Sequence, residues 1–160
     1  MFKARWARRT DAARAKTFFE ASMELEGLPG ERGAFARSWR ESFRKDGPFR
    51  FAVVEDEAGL VVGSCTVHHH FSTYRGRRVV GVEDVFVDPK RRGLGAGRVL
   101  LAFAEVYARS LSAARLELHV RDDNPARRLY ARFGFEELPY YWMQKPLRPI
   151  GPKRTRRSPA

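Results

Sequence analysis

The sequence predicts one α/β domain. Three features carry that expectation: helical patterns that precede alternating apolar strands, a strand–glycine turn–helix junction at residues 85 to 101, and a further strand and short helix beyond it. A chain of 160 residues, 43% hydrophobic, has the length of a single domain with a real core. Phe2 to Arg8 alternates as a strand. Thr10 or Asp11 can cap a helix that carries Ala15, Phe18, Phe19 and Met23 and stops near Gly27 and Pro29. A second amphipathic helix is expected from Glu31 to Lys45, with Phe35, Trp39 and Phe43 at i, i+4 and i+8 as a core stripe. Phe49 to Glu55 and Leu60 to Phe71 read as strands joined by a turn at Asp56 to Gly59. A second turn at Tyr74-Arg75-Gly76-Arg77 leads into the strand Val79 to Val87. A helix from Gly95 to about Ser110, a strand Arg115 to Val120, a helix Pro125 to Phe133 and a last strand near Tyr140 to Lys145 complete the pattern.

The formal net charge of +12 sits at the two ends. The last 16 residues carry +6 and the first 16 carry +5, which leaves +1 for everything between. The body is therefore nearly neutral, and overall charge says little about its ligand. Arg148 to Ala160 is poor in large apolar groups and reads as a disordered basic tail after a domain spanning residues 1–147. Weak, salt-sensitive nucleic-acid contact through the basic ends is left open. No apolar run is long enough to span a membrane, and the first residues lack the apolar segment of a signal peptide. The single cysteine, Cys65, excludes an internal disulfide framework, suits a reducing cytoplasm and reads as a buried structural thiol.

Residues 85 to 101 read Val-Phe-Val-Asp-Pro-Lys-Arg-Arg-Gly-Leu-Gly-Ala-Gly-Arg-Val-Leu-Leu. Glycines 93, 95 and 97 let the backbone curl with its N–H groups inward and open a helix whose first N–H groups lack partners. Arg92 and Arg98 add positive charge at the rim, so Arg92, Gly93, Leu94, Gly95, Ala96, Gly97 and Arg98 are candidates to hold a phosphate or pyrophosphate. The run lacks the Lys-Ser/Thr ending of a nucleotide P-loop and the Gly-x-Gly-x-x-Gly spacing of a dinucleotide site. Close packing of helix on strand is the other use of such glycines.

Arg92-x-x-Gly95-x-Gly97 resembles the Arg/Gln-x-x-Gly-x-Gly/Ala signature of the GNAT N-acetyltransferase superfamily. Asp123-Asn124-Pro125-Ala126-Arg127-Arg128-Leu129-Tyr130-Ala131-Arg132-Phe133-Gly134-Phe135 is similar to the second motif of that family, Asn-x-Pro-Ala-x-x-x-Tyr-x-x-x-Gly-Phe. The family's Asn position falls on Asp123, with Asn124 one step later. The resemblance covers roughly Val53 to Leu147. It implies a single-domain GNAT fold with a mixed central β-sheet flanked by helices, and acetyl-CoA as cosubstrate with no metal. It assigns Val85, Phe86 and Val87 to the pantetheine arm and thioester, Asn124 and Arg127 to the cofactor side, and Tyr130 to protonation of the leaving thiolate.

Val82-Glu83-Asp84-Val85-Phe86-Val87 is similar to the Leu-Glu-Asp-Phe/Leu-Phe/Tyr-Val of the spermidine/spermine and thialysine acetyltransferase branch, whose glutamate lies at the amine site. Neighbours on a strand point to opposite faces, so Glu83 and Asp84 cannot share a pocket without a bulge. If Asp84 joins Phe86 on the core side, Glu83 faces with Val85 and Val87 as the substrate carboxylate. The alternative is a solvated strand carboxylate. Of His68-His69-His70 only the first and third share a face, which argues against a closed zinc site. A tight turn at Arg75-Gly76 would pair residues whose numbers sum to about 151, placing His68 opposite Glu83 as a proton relay. The resulting expectation is a cytoplasmic N-acetyltransferase that moves an acetyl group to a primary amine by direct attack in a ternary complex. The acceptor would be a small amine, a polyamine or an amino-acid side-chain amine. A protein N-terminus or an antibiotic amine is the alternative acceptor, a CoA-binding or RNA-associating module the alternative without turnover, and a homodimer is left open.

Overall fold

The computed structural model describes residues 1–27 and 31–139, with isolated positions at Met143, Lys145 and Leu147. Strand β1 (Lys3–Trp6) leads through a single 3₁₀ turn into helix α1 (Ala12–Leu25) and helix α2 (Ala34–Glu41). Strands β2 (Phe49–Glu55), β3 (Val61–Ser72) and β4 (Arg77–Val87) follow as a meander. Helix α3 (Ala96–Ser110), a short strand β5 (Leu116–Glu117) and helix α4 (Arg127–Phe133) complete the described part. The five strands form one sheet in sequence order, antiparallel through β4 and parallel between β4 and β5. This is the mixed sheet with flanking helices that the two motifs imply.

Strand alternation divides the core into two layers. Ala52, Val54, Cys65, Val67, Val80 and Val82 face Leu100, Leu101, Ala104 and Ala108 of α3 and Tyr130 of α4. On the other face, Val53 and Phe86 pack on Phe18 of α1, whose ring stacks on Phe86 at 5.9 Å. Phe51 packs beside them on Trp39 of α2, with ring centroids 5.1 Å apart. Trp39 also meets Phe35 at 5.4 Å and Phe43 at 5.1 Å, so the aromatic stripe is core. Burying rings of this size contributes roughly 1.5–3 kcal/mol each.

Four expectations are corrected. Helix α2 is shorter than residues 31–45, because Gly33 at its N-cap adopts φ 73° and the chain after Ser42 breaks into tight turns. Helix α4 starts at Arg127 rather than Pro125, because Asn124 and Ala126 form the turn that opens it. Among the described residues, strand β5 pairs at Val80↔Leu116 and Gly81↔Glu117, and residues 118–120 make no pair with β4. The β3–β4 turn holds four residues between Ser72 and Arg77, so the partners His70↔Val79 and His68↔Gly81 sum to 149. His68 therefore stands opposite Gly81, and Glu83 opposite Thr66. The expected strand at 140–145 and the basic tail lie outside the described residues. No described helix is long and apolar enough to cross a membrane.

Candidate active site

A wedge opens where β5 parts from β4. Parallel pairing ends at Gly81, yet β4 continues to Val87, and among the described residues that stretch pairs with β3 alone. The gap encloses a cavity of about 710 Å³ between Val82–Val87 on one side and Leu118, His119 and Val120 on the other. One cause of the parting lies within β4. The register with β3 shifts between Ser64↔Phe86 and Thr66↔Glu83, leaving Asp84 as the extra residue of a bulge. Asp84 adopts φ 52°, a left-handed backbone that costs a non-glycine residue about 1–3 kcal/mol and clusters at functional sites. A bulge bends its strand and increases twist, which carries β4 away from β5.

The bulge also resets which side chains face which layer. Glu83 and Phe86 both face α1 and α2, while Val85 and Val87 pack toward α3. The expectation that Glu83 would share a face with Val85 and Val87 is therefore wrong, because it assumed uninterrupted alternation. Glu83 and Asp84 now line the same space. Asp84 is largely shielded, and burial raises its carboxyl above the ordinary range, with Glu83 and Glu26 adding to the rise. The Thr66 hydroxyl, 3.3 Å from Asp84 Oδ2, opposes it in part.

Helix α3 points its N-terminus into the wedge. Gly93 and Gly95 adopt φ 74° and 98°, and a side chain on either would meet open space, so they are glycine for their backbone angle. The first helical bond runs from Val99 N–H to the Gly95 carbonyl at 3.1 Å. The N–H groups of Ala96, Gly97 and Arg98 precede it without intrahelical partners, and these residues line the cavity. Gly97 has a different reason. A Cβ there would stand 2.9 Å from Leu129 Cδ2, so this glycine lets α4 close on α3. The rim arginines are anchored: Arg92 Nε donates to the Val87 carbonyl at 3.1 Å, and Arg91 pairs with Asp56 at 3.0 Å.

Tyr130 enters from α4. Its ring packs edge-on to Phe135 at 5.9 Å, and the residue is 8% exposed. Burial, reinforced by Cys65 and Glu26, pushes its hydroxyl up to about 12, so it is neutral and able to donate at any working pH. Across the cavity, Asn124 Nδ2 donates to Glu26 Oε1 at 3.2 Å and Asn124 Oδ1 accepts from Ala126 N–H at 2.9 Å. Arg121 reaches the Glu26 carbonyl at 3.2 Å. These contacts tie the end of α1 to the loop before α4.

A second cavity of about 450 Å³ lies on the α1/α2 face of the sheet, lined by Phe19, Ser38, Pro48, Phe49, Phe51, Thr66, His68 and His69. It shares two lining residues with the wedge, Glu83 and Asp84. His68 Nδ1 is 4.0 Å from Glu83 Oε1, so the two approach each other diagonally across the strands. His69 points to the opposite face, where Tyr107 Oη lies 3.2 Å from its Nδ1.

Residues 14–135 match the sequence profile of the acetyltransferase (GNAT) family. The chain belongs to that family. An uncharacterized N-acetyltransferase of Bacillus subtilis is 29% identical over 123 residues, covering 76% of each chain. A thialysine N-epsilon-acetyltransferase of Bos taurus is 31% identical over 111 residues, covering 61% of this chain and 65% of its own. The crystal structure of glucosamine-6-phosphate N-acetyltransferase from Arabidopsis thaliana superposes with a TM-score of 0.71 at 20% identity. The superposition covers 91% of this chain and 98% of that one and concerns the fold alone. As a GNAT enzyme the chain is an acetyl-CoA-dependent acetyltransferase.

The wedge of this GNAT enzyme gathers most of the residues expected from sequence: Glu83 to Val87, Arg92, Gly93, Gly95 to Arg98, Asn124 and Tyr130. Three stand elsewhere. Leu94 is 61% exposed and outside the wedge lining, because the glycines beside it turn its side chain to solvent. Arg127 bonds the Asp122 carbonyl at 2.8 Å and pairs with Glu137, which holds it on the outer side of α4. His68 lines the second cavity only. Sequence reasoning missed Glu26, Ser22 and Met23, which line the wedge from the end of α1. No motif marks them, since they reach the site only through the packing of α1 on β4.

Proposed function

We propose that this enzyme transfers the acetyl group of acetyl-CoA to the primary amine of a small cationic acceptor, by direct attack in a ternary complex. The observation that carries the reading is the junction of the two cavities at Glu83 and Asp84. The wedge suits the cosubstrate, with helix-opening N–H groups at one end and, along its length, a strand edge unpaired among the described residues. Acetyl-CoA supplies an activated thioester. The remaining work falls to this chain's own groups.

An alkylamine is mostly protonated near neutral pH and must lose a proton before it attacks. Glu83 and Asp84 hold the ammonium at the junction by charge. Asp84, held above the ordinary carboxyl range by burial, is the better placed to accept the proton at Oδ1 or Oδ2. Attack forms the C–N bond; as the C–S bond breaks, the Tyr130 hydroxyl protonates the departing sulfur, and the nitrogen gives up its second proton to solvent, from which Tyr130 is reprotonated. The β4 edge from Val85 to Val87 offers backbone partners to the pantetheine arm. The thialysine enzyme relative acts on a side-chain amine, as its name says, which favours a small-molecule amine over a protein N-terminus.

The test is a CoA-release assay with full-length protein and a panel of amines. Glu83→Gln should raise KM for cationic amines about ten- to a hundredfold, the loss of a contact of about 1–3 kcal/mol. Asp84→Asn should lower kcat and flatten the acidic limb of its pH profile. Acetylation of peptide N-termini with no small amine turned over would overturn the reading.

A further inference from the structure

The second cavity has a polar end and an apolar end, and all its carboxylates are at the polar one. Among the described lining residues Glu83 and Asp84 are the only acids, and they are adjacent on β4. The far end is built from Phe19, Phe49, Phe51 and Pro48. These rings are braced: Phe51 is 3% exposed and meets Trp39 at 5.1 Å and Phe49 at 5.9 Å, while Phe19 meets Phe35 at 5.7 Å. A volume of about 450 Å³ with such walls is of ligand size.

Taking the acetyl transfer above as given, we propose that the acceptor is a monoamine with an aromatic body, an arylalkylamine. Its ammonium sits at Glu83 and Asp84 and its ring lies among Phe19, Phe49 and Phe51. A polyamine of similar length would carry a second ammonium into the phenylalanine end. No carboxylate among the described residues lines that end to replace the water it loses, and cation–π attraction to Phe offsets only part of the cost. An aromatic body brings no second charge. It gains apolar burial and the edge-to-face partners that the rings there already present to each other.

His68 lies beside Glu83 at the polar end, its Nδ1 4.0 Å from Glu83 Oε1. It pairs across the strands with Phe49 on one side and with Gly81 on the other. A Cβ on Gly81 would lie 2.2 Å from His68 Cε1 and 2.3 Å from its Nε2, so the imidazole lies in the space the glycine leaves empty. Gly81 is thus a positioning residue. A side chain there must displace the His68 ring, which lines the cavity.

The experiment measures kcat/KM for 2-phenylethylamine, tryptamine, n-hexylamine, 1,5-diaminopentane and spermidine in wild-type full-length protein, Phe49→Leu and Gly81→Ala, with the KM for acetyl-CoA in parallel. Phe49→Leu removes the ring and keeps most of the apolar volume, so it opens a smaller void than an alanine would. The expected result is a preference for the two aromatic amines over spermidine of about tenfold or more. Phe49→Leu should erase most of it through amine KM, with acetyl-CoA KM unmoved. Gly81→Ala should cut activity on the bulky aromatic amines more than on n-hexylamine. Spermidine or diaminopentane turned over as well as the aromatic amines would overturn this inference and leave amine acetylation standing. Equal loss for every amine in Phe49→Leu would overturn it too, as a merely structural effect. Acetyl-CoA bound with no amine acetylated would overturn the reading on which it rests.

Discussion

Replacing Tyr130 by Phe separates the chemistry of α4 from its packing. The ring stays against Phe135 at 5.9 Å, and an 8% exposed side chain loses only its oxygen. The native hydroxyl is pushed up to about 12 by burial, Cys65 and Glu26, so at pH 8 it stays protonated. It therefore keeps a proton to donate throughout the working range. A hydrogen bond to a group that gains charge contributes about 1.5–3 kcal/mol. Since about 1.36 kcal/mol is tenfold in rate, kcat should fall about ten- to 150-fold. The affinity for CoA and the thermal midpoint should move little, because neither the wedge walls nor the packing change. The assay is CoA release at saturating acetyl-CoA, with calorimetric titration of CoA and a melting curve on the same preparation. A kcat within twofold of wild type would refute the role of Tyr130 as donor. A melting temperature lowered by many degrees would place its contribution in packing instead.

The remaining predictions concern architecture and pH. Gly97→Val should destabilise the fold by about 1–3 kcal/mol and weaken CoA binding, because its Cβ would lie 2.9 Å from Leu129 Cδ2; Leu129→Ala should recover part of both losses in a double-mutant cycle. Cys65 and Tyr130 are raised by burial from their ordinary 9.0 and 10.0 to about 12, so the native state keeps protons that the unfolded chain releases. Stability should be complete below pH 9 and fall as pH rises from 9 through 12, and in urea titrations Cys65→Ala should flatten the part of that fall beginning at pH 9. Burial alone would raise the Asp11 carboxyl, but Arg5 at 2.7 and 3.1 Å and the Arg8 N–H at 2.6 Å hold it below the ordinary range. Asp11→Asn should cost about 1.5–3 kcal/mol at neutral pH, with a smaller difference from wild type as pH falls below 3.8.

The residues around Gly93, Gly95 and Tyr130 were legible in the sequence because their chemistry is local. A left-handed turn needs glycine, a helix N-terminus presents its N–H groups whatever packs behind it, and both depend on neighbours in the chain. The strand and helix patterns were legible for the same reason, since apolar periodicity records which face of each element is buried. Hairpin register was less so. The His68 partner moved from Glu83 to Gly81 because the turn holds four residues instead of two, which resets every pair beyond it. What only the tertiary structure decided is the face of β4. A single extra residue at Asp84, held at φ 52°, inverts the alternation and brings two adjacent carboxylates to one junction. Glu26 and the phenylalanine end of the second cavity depend on how α1 and α2 lie over the sheet. Such contacts join residues far apart in the chain, and their energy comes from the burial of whole surfaces, which no short pattern encodes.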